Sequence, residues 1–541
     1  MLWKGRTQVS KDTFLKGALI LTFAGIIVKV IGSVNRILLS RLLGGEGIGL
    51  YQMAYPIYLL ALSVSSAGIP VAISIIVAEK IAMSDFRGAN RVFRISLKLL
   101  GITGIIFTFL LYFGAGWLIE HHFVRDARAY YAIVALAPAI FFVTVLSSYR
   151  GYFQGLQMMT PTAVSQIFEQ LLRVITMIAL AYYLLPLGLE YAAAGASFGA
   201  VPGALIGLLV LMYFYYQNRT ELKTKISNQL NIQQESSLKI ISRIVKLALP
   251  VSLANIMLPV VASIDLFIVP ARLEIAGYTV AQATELFGYL TGMAIALINL
   301  PTILTASLAA SLVPAVSEAF TLQNHQRIYQ RTAMAMRIAN LITIPSFVGM
   351  YLLAMPISQM LYGTPNAGMP IAILSIGIVL LGIHQVSTGV LQGLGHTTIP
   401  LLNMIIAAIV KIVMSWTLTA IPSLGIQGAA WATNADFGVA ALLNMYFVYR
   451  YVGFNINIKD TMKSIGAAIV MGGVVLLVYD NIMIRVLHNT IATIIAISIG
   501  GFVYGMALLF LGGIGQRDVE KIPRVGVGLS RIIRKLGFWR E

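Results

Sequence analysis

The chain consists mostly of long apolar stretches separated by short polar ones. Residues 17–28, 97–118, 174–187 and 491–511 are nearly or wholly free of charged side chains. A helix that crosses the hydrocarbon core of a bilayer needs about 20 such residues. Strands of a membrane barrel would instead alternate apolar and polar residues at every second position. The pattern therefore predicts an all-α polytopic membrane protein.

Fourteen segments are long and apolar enough to be predicted as membrane-spanning helices, with short polar connections between them. In chain order the predicted spans are 14–40, 50–78, 95–118, 128–149, 162–185, 192–216, 246–270, 286–313, 333–356, 369–391, 400–420, 428–449, 464–480 and 490–511.

An internal repeat relates the first six spans to the next six. The fourth span ends in Gly-Tyr-Phe-Gln-Gly-Leu at 151–156, and the tenth ends in Gly-Val-Leu-Gln-Gly-Leu at 389–394. A second match, 187–193 with 424–430, has nearly the same offset. Because six spans return the chain to the same side, the two lobes are parallel repeats, an arrangement typical of transporters that alternate access by rocking one lobe against the other.

The repeat and the polar connections together predict five regions. These are an N-lobe at 1–216, a cytoplasmic inter-lobe linker at 217–245, a C-lobe at 246–451, two extra helices within 452–511, and a basic amphipathic cytoplasmic tail at 512–541.

Charged residues are scarce, and most of the cations follow the topology. The 541 residues include 38 Lys and Arg against 20 Asp and Glu, a net charge of +18, yet only 11% are charged, compared with about 25% in soluble domains. Twenty-nine of the 38 cations lie on one side of the predicted topology. By the positive-inside rule, both termini are predicted to be cytoplasmic, in a bacterial cytoplasmic membrane.

Composition also excludes several classes of function. The cations lie at the ends of apolar segments and not in a patch interleaved with aromatic residues, so nucleic-acid binding is not expected. The chain has no cysteine, which excludes disulfides and thiolate metal ligands. No His, Asp or Glu spacing resembles a metal site, and the short outward connections lack clustered catalytic acids. We therefore expect neither a bound cofactor nor an enzyme.

Three cations lie well inside predicted spans, away from the regions near the span ends that are counted with the connections, and a charge at the centre of a span costs about 2.5–3.5 kcal/mol. They are Lys29, Arg173 and Lys411. Lys29 precedes Arg36 by two helical turns on nearly the same face, with Asn35 beside it. Span 1 has no acid to neutralise this stripe. The stripe therefore predicts a site for an anionic substrate.

For the other charged residues in or next to the spans, the sequence allows more than one role. Glu169 precedes Arg173 by four residues, the favourable order for an intrahelical ion pair, so the two form either a structural pair or substrate contacts. Asp265 and Asp436 are alternative partners for Lys411. If they do not pair, the two acids couple transport to a cation and Lys411 is a second contact for the anionic substrate. Arg150 ends the fourth span, where it either anchors the helix at the membrane surface, the favoured role, or contacts an arriving phosphate.

Six motifs distributed along the N-terminal part of the chain carry a resemblance to a known family. They lie at 13–17, 32–36, 41–51, 68–74, 150–155 and 190–196. With these motifs the chain resembles the stage V sporulation protein B group of the multidrug/oligosaccharidyl-lipid/polysaccharide flippase superfamily, a group similar to the lipid II flippases, and the resemblance covers essentially the whole chain. It implies a V-shaped, two-lobe transporter of fourteen helices that moves undecaprenyl-diphosphate-linked sugars to the outer leaflet.

Lipid II flippases have a set of charged residues that is implied to bind an anion, and only part of this set has a counterpart in the present chain. Lys29 matches a basic residue of helix 1 in lipid II flippases, whereas Asn35 and Arg36 stand where those proteins have Arg-Asp. Their basic residues in helices 2 and 8 have no counterpart here. Asp265 resembles a helix-7 acid associated with sodium in some relatives. Lys411 stands where a further acidic ligand would be, so an internal ammonium group could take the place of the ion.

The leading prediction is a flippase for a polyprenyl-diphosphate-linked saccharide, serving peptidoglycan, spore-cortex or other polysaccharide synthesis. The expected partners are this lipid-linked saccharide, membrane lipid and cell-wall synthesis proteins. One alternative is a cation-coupled multidrug antiporter of the same superfamily. Another is a non-transporting scaffold of the wall-synthesis machinery. Coupling to sodium, to protons or to the membrane potential stays open.

Overall fold

A computed structural model describes residues 11–66, 68–227, 229, 235–483 and 488–513. Within these residues all regular secondary structure is helical. The first helices are α1 (Lys11–Ser66), α2 (Ile69–Ala82), α3 (Phe86–Glu120), α4 (Ala129–Gly155), α5 (Met159–Leu184), α6 (Leu189–Phe198), α7 (Ala200–Gln217), α8 (Arg219–Ser227), α9 (Ser237–Ile275) and α10 (Val280–Phe287). They are followed by α11 (Ile295–Thr321), α12 (His325–Leu352), α13 (Ala354–Tyr362), α14 (Gly368–Ser375), α15 (Gly377–Gly393), α16 (Thr398–Leu418), α17 (Ile426–Val452), α18 (Ile458–Leu476) and α19 (Asn489–Phe510).

Helix lies at all fourteen predicted positions, which confirms the all-α polytopic fold. Among the described residues, ten helices are long and apolar enough to cross a membrane, or eleven if α14 and α15, bent by 44°, form one span. One of the ten is the segment Phe23–Ala82, which combines most of α1 with α2. It has 60 residues, which correspond to about 90 Å of helix at 1.5 Å per residue. That length suffices for two crossings, as predicted for 14–40 and 50–78.

Glycines interrupt this long N-terminal helix and allow close packing beside the interruption. Gly44, with φ 67°, has a non-helical conformation inside α1, in the left-handed region that favours glycine. A few residues on, a Cβ atom on Gly49 would lie 2.0 Å from the carbonyl oxygen of Thr284 in α10. The glycine-rich segment 44–49 therefore brings two helix backbones together.

The repeat has a direct structural counterpart in helix packing. A Cβ atom on Gly151 of α4 would lie 2.6 Å from the carbonyl oxygen of Pro70 in α2, and one on Gly389 of α15 would lie 2.7 Å from that of Ala309 in α11. Contacts this short exclude any side chain at either position. The matched glycines therefore have the same function in each lobe, the close approach of two helices.

The same correspondence holds one turn further on and at a neighbouring helix start. Gly155 and Gly393 pack equally closely. A Cβ atom added to either glycine would lie 2.7 Å from Cβ of a valine on the facing helix. Asp85 caps α3 by accepting a hydrogen bond from the amide of Gly88. Asn324 caps α12 in the same way. The two six-helix repeats therefore share matching close helix contacts and matching helix starts, and α18 and α19 follow the second repeat.

Packing divides the described chain into two compact units. Unit 1 extends to Glu274 and includes Tyr278–Gly288, and unit 2 contains Ile275–Gly277 and the residues from Tyr289 onward. The lobe limits predicted from the repeat stay a prediction. The predicted tail, 512–541, lies outside the described residues except for its first two.

In unit 1, part of the predicted linker is helical and packed. The first turns of α9 place Ile240 and Ile244 in a buried cluster with Phe93 and Tyr152. Polar contacts add to this attachment: the ammonium of Lys80 lies 3.2 Å from a carboxylate oxygen of Glu235. The segment 235–248 therefore packs against unit 1 through one side of the helix, with Ile240 and Ile244 in the buried cluster.

Candidate anion-binding site

Three charged side chains of α4 and α5 form one cluster inside unit 1. Arg173 donates a hydrogen bond to Oε1 of Glu169 at 2.7 Å, and Arg150 donates to Oε2 of the same carboxylate at 2.8 Å. The predicted pair of Glu169 and Arg173 is therefore present, with a second guanidinium added. Arg150 does not anchor the helix at the surface, because its side chain is only 18% exposed.

Side chains of α1 face this cluster. The rings of Tyr51 and Tyr55 stack at 5.6 Å, and Tyr58 follows at 6.0 Å from Tyr55. Arg173 lies within electrostatic reach of all three hydroxyl groups. Arg36 lies within electrostatic reach of Tyr51 as well. Arg36, from the predicted stripe of α1, and Arg173 therefore both act electrostatically on the same tyrosine.

A ladder of glycines on the following helices holds α5 in place. Glycines at 195, 199, 203 and 207 recur at every fourth residue and so share one helix face. A Cβ atom on Gly203 would lie 2.8 Å from Cβ of Arg173, and one on Gly207 would lie 3.2 Å from Cβ of Glu169. Small residues at this spacing let membrane helices approach closely. They fix the backbone of both charged residues.

The cluster of Arg150, Glu169 and Arg173, called the N-site below, carries a net positive charge. Two guanidiniums share one carboxylate, and Arg173 lies near the midpoint of the 26-residue helix α5. The side chains of Glu169 and Arg173 are 14% and 19% exposed. Arginine forks match carboxylate and phosphate oxygens in a bidentate manner. The arrangement can therefore bind an anion.

The other predicted residues of α1 lie apart from this charge network. Lys29 is exposed, two turns before Arg36. Asn35 is buried and donates from Nδ2 to the sulfur of Met177 at 3.5 Å. No contact described for the chain joins Lys29 or Asn35 to the carboxylate of Glu169. Their role in substrate binding stays a prediction.

The three remaining charged residues predicted within spans are buried. Lys411 lies on α16 and Asp436 on α17, two helices that pack against each other in unit 2. Asp265, on α9, is buried in unit 1. Each of the three has at least one interaction partner. The proposed pairings of Lys411 stay predictions.

A buried polar network in unit 2 was not foreseen. Asn444 of α17 accepts a hydrogen bond from Nδ2 of Asn403 at 2.8 Å, and its own Nδ2 lies 2.8 Å from the hydroxyl of Thr388 and 3.2 Å from Nδ1 of His384. The sequence gives a weak signal for it, since all four residues are polar positions inside predicted spans. The network links α15, α16 and α17.

Unit 1 contains a second charged cluster, at the α3–α4 loop. Buried Asp126, in the α3–α4 loop, accepts hydrogen bonds from the side chain of Arg128 at 2.7 and 3.0 Å and from the hydroxyl of Thr284 at 2.9 Å. Arg128 also contacts Glu46 at 2.7 Å. Burial alone would raise the pKa of Asp126, but these hydrogen bonds together outweigh burial and lower the pKa.

Asp126→Asn is expected to lower the free energy of unfolding of the purified protein at pH 7 by about 1.5–3 kcal/mol, the contribution of hydrogen bonds to a charged group. Because the folded-state pKa is lowered, this contribution is complete above the ordinary value of 3.8 and is lost as the pH falls through the folded-state pKa. Thermal unfolding at pH 7 and near pH 3 measures it. Exposed Glu120→Gln is the control, and equal loss in both variants would contradict the prediction.

Long apolar helices, a six-helix repeat and cationic side chains inside the helices are typical of polytopic membrane transporters. A sequence profile of the polysaccharide biosynthesis protein family matches residues 14–320, and a profile of the MatE family matches residues 273–417. The chain belongs to the polysaccharide biosynthesis protein family, within the multidrug/oligosaccharidyl-lipid/polysaccharide superfamily.

Individual relatives match over nearly the whole length. Stage V sporulation protein B of Bacillus subtilis (strain 168) is 32% identical over 524 residues, which cover 96% of this chain and 99% of that protein. Lipid II flippase MurJ of the same organism is 27% identical, covering 95% and 98%. A solved structure of lipid II flippase MurJ in an inward closed conformation aligns with a TM-score of 0.67 at 16% identity, covering 90% and 98%. The resemblance seen in the sequence motifs is confirmed.

Proposed function

We propose that the protein is a flippase that moves a polyprenyl-diphosphate-linked saccharide from the cytoplasmic to the outer leaflet of the bacterial membrane. The observation that carries this proposal is the N-site, where Arg150 and Arg173 share the single carboxylate of Glu169. A net positive charge within apolar helices suits an anionic cargo. The relationship to a protein named lipid II flippase supports the same class of substrate.

The N-site assigns a role to each part of such a cargo. The guanidiniums bind the diphosphate, because charge-assisted bonds from arginine are short and bidentate. The polyprenyl tail stays in lipid. Transport then requires alternating access, in which the bound headgroup is open first to the cytoplasmic side and then to the outer side. Both termini are cytoplasmic in this proposal, and the product serves peptidoglycan, spore-cortex or other polysaccharide synthesis.

Depletion of the protein in its own host tests this function. We expect a polyprenyl-diphosphate-linked saccharide to accumulate on the cytoplasmic leaflet, detectable by lipid extraction, mass spectrometry and leaflet-specific labelling. Re-expression of the wild-type chain should clear the accumulated lipid. Depletion without accumulation, in a strain that lacks related flippases, would exclude the proposal and leave the scaffold as the alternative.

A cation-coupled multidrug antiporter is a second candidate, favoured by the match of residues 273–417 to the MatE family and by the buried carboxylates Asp265 and Asp436. The binding site of an antiporter for cationic drugs must contain at least as many acidic side chains as basic ones. The N-site has the opposite balance. Drug export that raises resistance in a susceptible strain, without any lipid accumulation on depletion, would favour this candidate.

Buried Lys411 provides a test of energy coupling. If its ammonium group takes the place of a coupling sodium ion, transport by the wild type in vesicles is independent of sodium, and Lys411→Ala lowers transport and makes the remainder depend on sodium. The reason is that a buried charge within a span needs a replacement once it is removed. Transport is measured with and without a sodium gradient, with exposed Lys98→Ala as the control. A wild type that depends steeply on sodium, unchanged by the substitution, would refute this role.

A further inference from the structure

We propose that Glu169 is a tethered counter-anion: it occupies the position of the cargo's diphosphate between Arg150 and Arg173 and is exchanged for it when cargo binds. This inference rests on the proposed function and adds to it one specificity-determining residue. It explains why a site for an anion contains a carboxylate at its centre.

The hydrogen bonds of Glu169 are those that a bound phosphate would make. Its two oxygens accept one bond from each guanidinium, at 2.8 Å from Arg150 and at 2.7 Å from Arg173. A carboxylate that bridges two arginines in this manner offers one oxygen to each. A diphosphate carries more charge and more acceptor oxygens, so it can use the same donors in a bidentate manner.

The N-site retains donor capacity that Glu169 does not use. Nε of Arg173 is buried and has no hydrogen-bond partner among the described residues. Arg150 directs Nε and a terminal nitrogen to the hydroxyl of Ser165, at 3.4 and 3.2 Å. Since Ser165 donates its own proton to the carbonyl oxygen of Thr162, it is an acceptor for Arg150. A buried donor left without a partner carries the full cost of its desolvation, which a larger anion would recover.

The packing of α5 restricts what can move during the exchange. Gly207 of α7 faces Cβ of Glu169 so closely that an added Cβ atom would lie 3.2 Å away. The base of the side chain is thus held where α5 and α7 meet, and the side chain as a whole is 14% exposed. Rotation about the outer bonds is sufficient to vacate the position between the arginines.

A tethered counter-anion also favours release. An N-site without Glu169 would hold two uncompensated guanidiniums after the cargo leaves, which is costly inside a membrane. When Glu169 returns, it neutralises one of the two charges. The carboxylate therefore lowers the affinity for diphosphate and makes its binding reversible.

Binding of farnesyl diphosphate to the purified full-length protein tests this exchange. Glu169→Gln keeps the size of the side chain and removes the competing charge, so the variant should bind the probe at least about tenfold more tightly than the wild type. Glu120→Gln, which removes an exposed carboxylate at the end of α3, should leave the affinity unchanged. Glu169→Asp, which retains the competing charge, should bind with an affinity close to that of the wild type. Farnesol, which has no diphosphate, should not distinguish these proteins.

The outcomes separate this inference from the proposed function. Wild type that binds the diphosphate, together with Glu169→Gln that binds no more tightly, would overturn the exchange and leave Glu169 as a positioning residue. No diphosphate-dependent binding by the wild type would overturn the proposed function as well. If Glu169→Gln is unstable alone, farnesyl diphosphate should raise its thermal stability by more than it raises that of the wild type. A failure to do so would count against the exchange.

Discussion

Arg173→Gln is expected to lower transport of a diphosphate-linked lipid by about 30-fold or more. The guanidinium lies near the middle of α5 and donates a hydrogen bond to Glu169 at 2.7 Å. Its removal changes the net charge of the N-site from positive to zero. Truncation of one member of a buried, hydrogen-bonded charge pair costs about 2–5 kcal/mol, and each 1.4 kcal/mol corresponds to a factor of ten. Flipping of a fluorescent lipid-linked substrate in proteoliposomes measures the effect.

Two further variants distinguish charge from geometry. Arg173→Lys keeps the charge but loses the planar fork, so it should restore transport only in part. Arg94→Gln removes an exposed cation of α3 and should leave transport unchanged. Full transport by Arg173→Gln at normal abundance would show that the N-site does not bind the cargo.

Gly203→Leu is expected to lower both stability and transport, although the residue touches no cargo. A single added carbon at this position would already lie 2.8 Å from Cβ of Arg173 and 2.9 Å from the carbonyl oxygen of Glu169. Inserting a larger side chain into a well-packed contact costs about 1–3 kcal/mol. Since α7 cannot then approach α5, the N-site should lose its geometry. Thermal unfolding in detergent and flipping in proteoliposomes measure the two effects.

Gly101→Leu is the matched control, because a Cβ atom on Gly101 would have no neighbour within 4 Å. Leucine is a better helix former than glycine by nearly 1 kcal/mol, so this variant should be as stable as the wild type or slightly more so. If the two leucine variants behaved alike, the close contact between α5 and α7 would not be what positions the N-site.

The helices and the repeat could be predicted from the sequence because both depend on local patterns. Apolar length alone indicates a membrane span. The motif at 151–156 and 389–394 appears in the chain because the same close packing recurs in each lobe, at Gly151 and Gly389. Glu169 and Arg173 could be paired because they lie four residues apart on one helix.

The third member of the N-site could not be predicted, for a physical reason. Arg150 lies 19 residues before Glu169 on another helix, and no local spacing reports which faces of α4 and α5 meet. One signal was available, the glycines at every fourth residue from 195 to 207, which mark the face against which α5 packs. The network around Asn444 likewise joins three helices, so only tertiary structure brings its members together.

The matched glycines of the repeat bear on how function is inferred across relatives of this chain. Gly151 and Gly389, with Gly155 and Gly393, are required by contacts between helix backbones, and none of them lies in the N-site. A homologous sequence that retains the Gly-x-x-Gln-Gly-Leu motif is therefore expected to share the helix packing, whatever it carries. If a substrate were assigned to a relative because it has this motif, proteins with different cargoes would receive the same assignment. The residues equivalent to Arg150, Glu169 and Arg173 should instead distinguish the relatives by cargo.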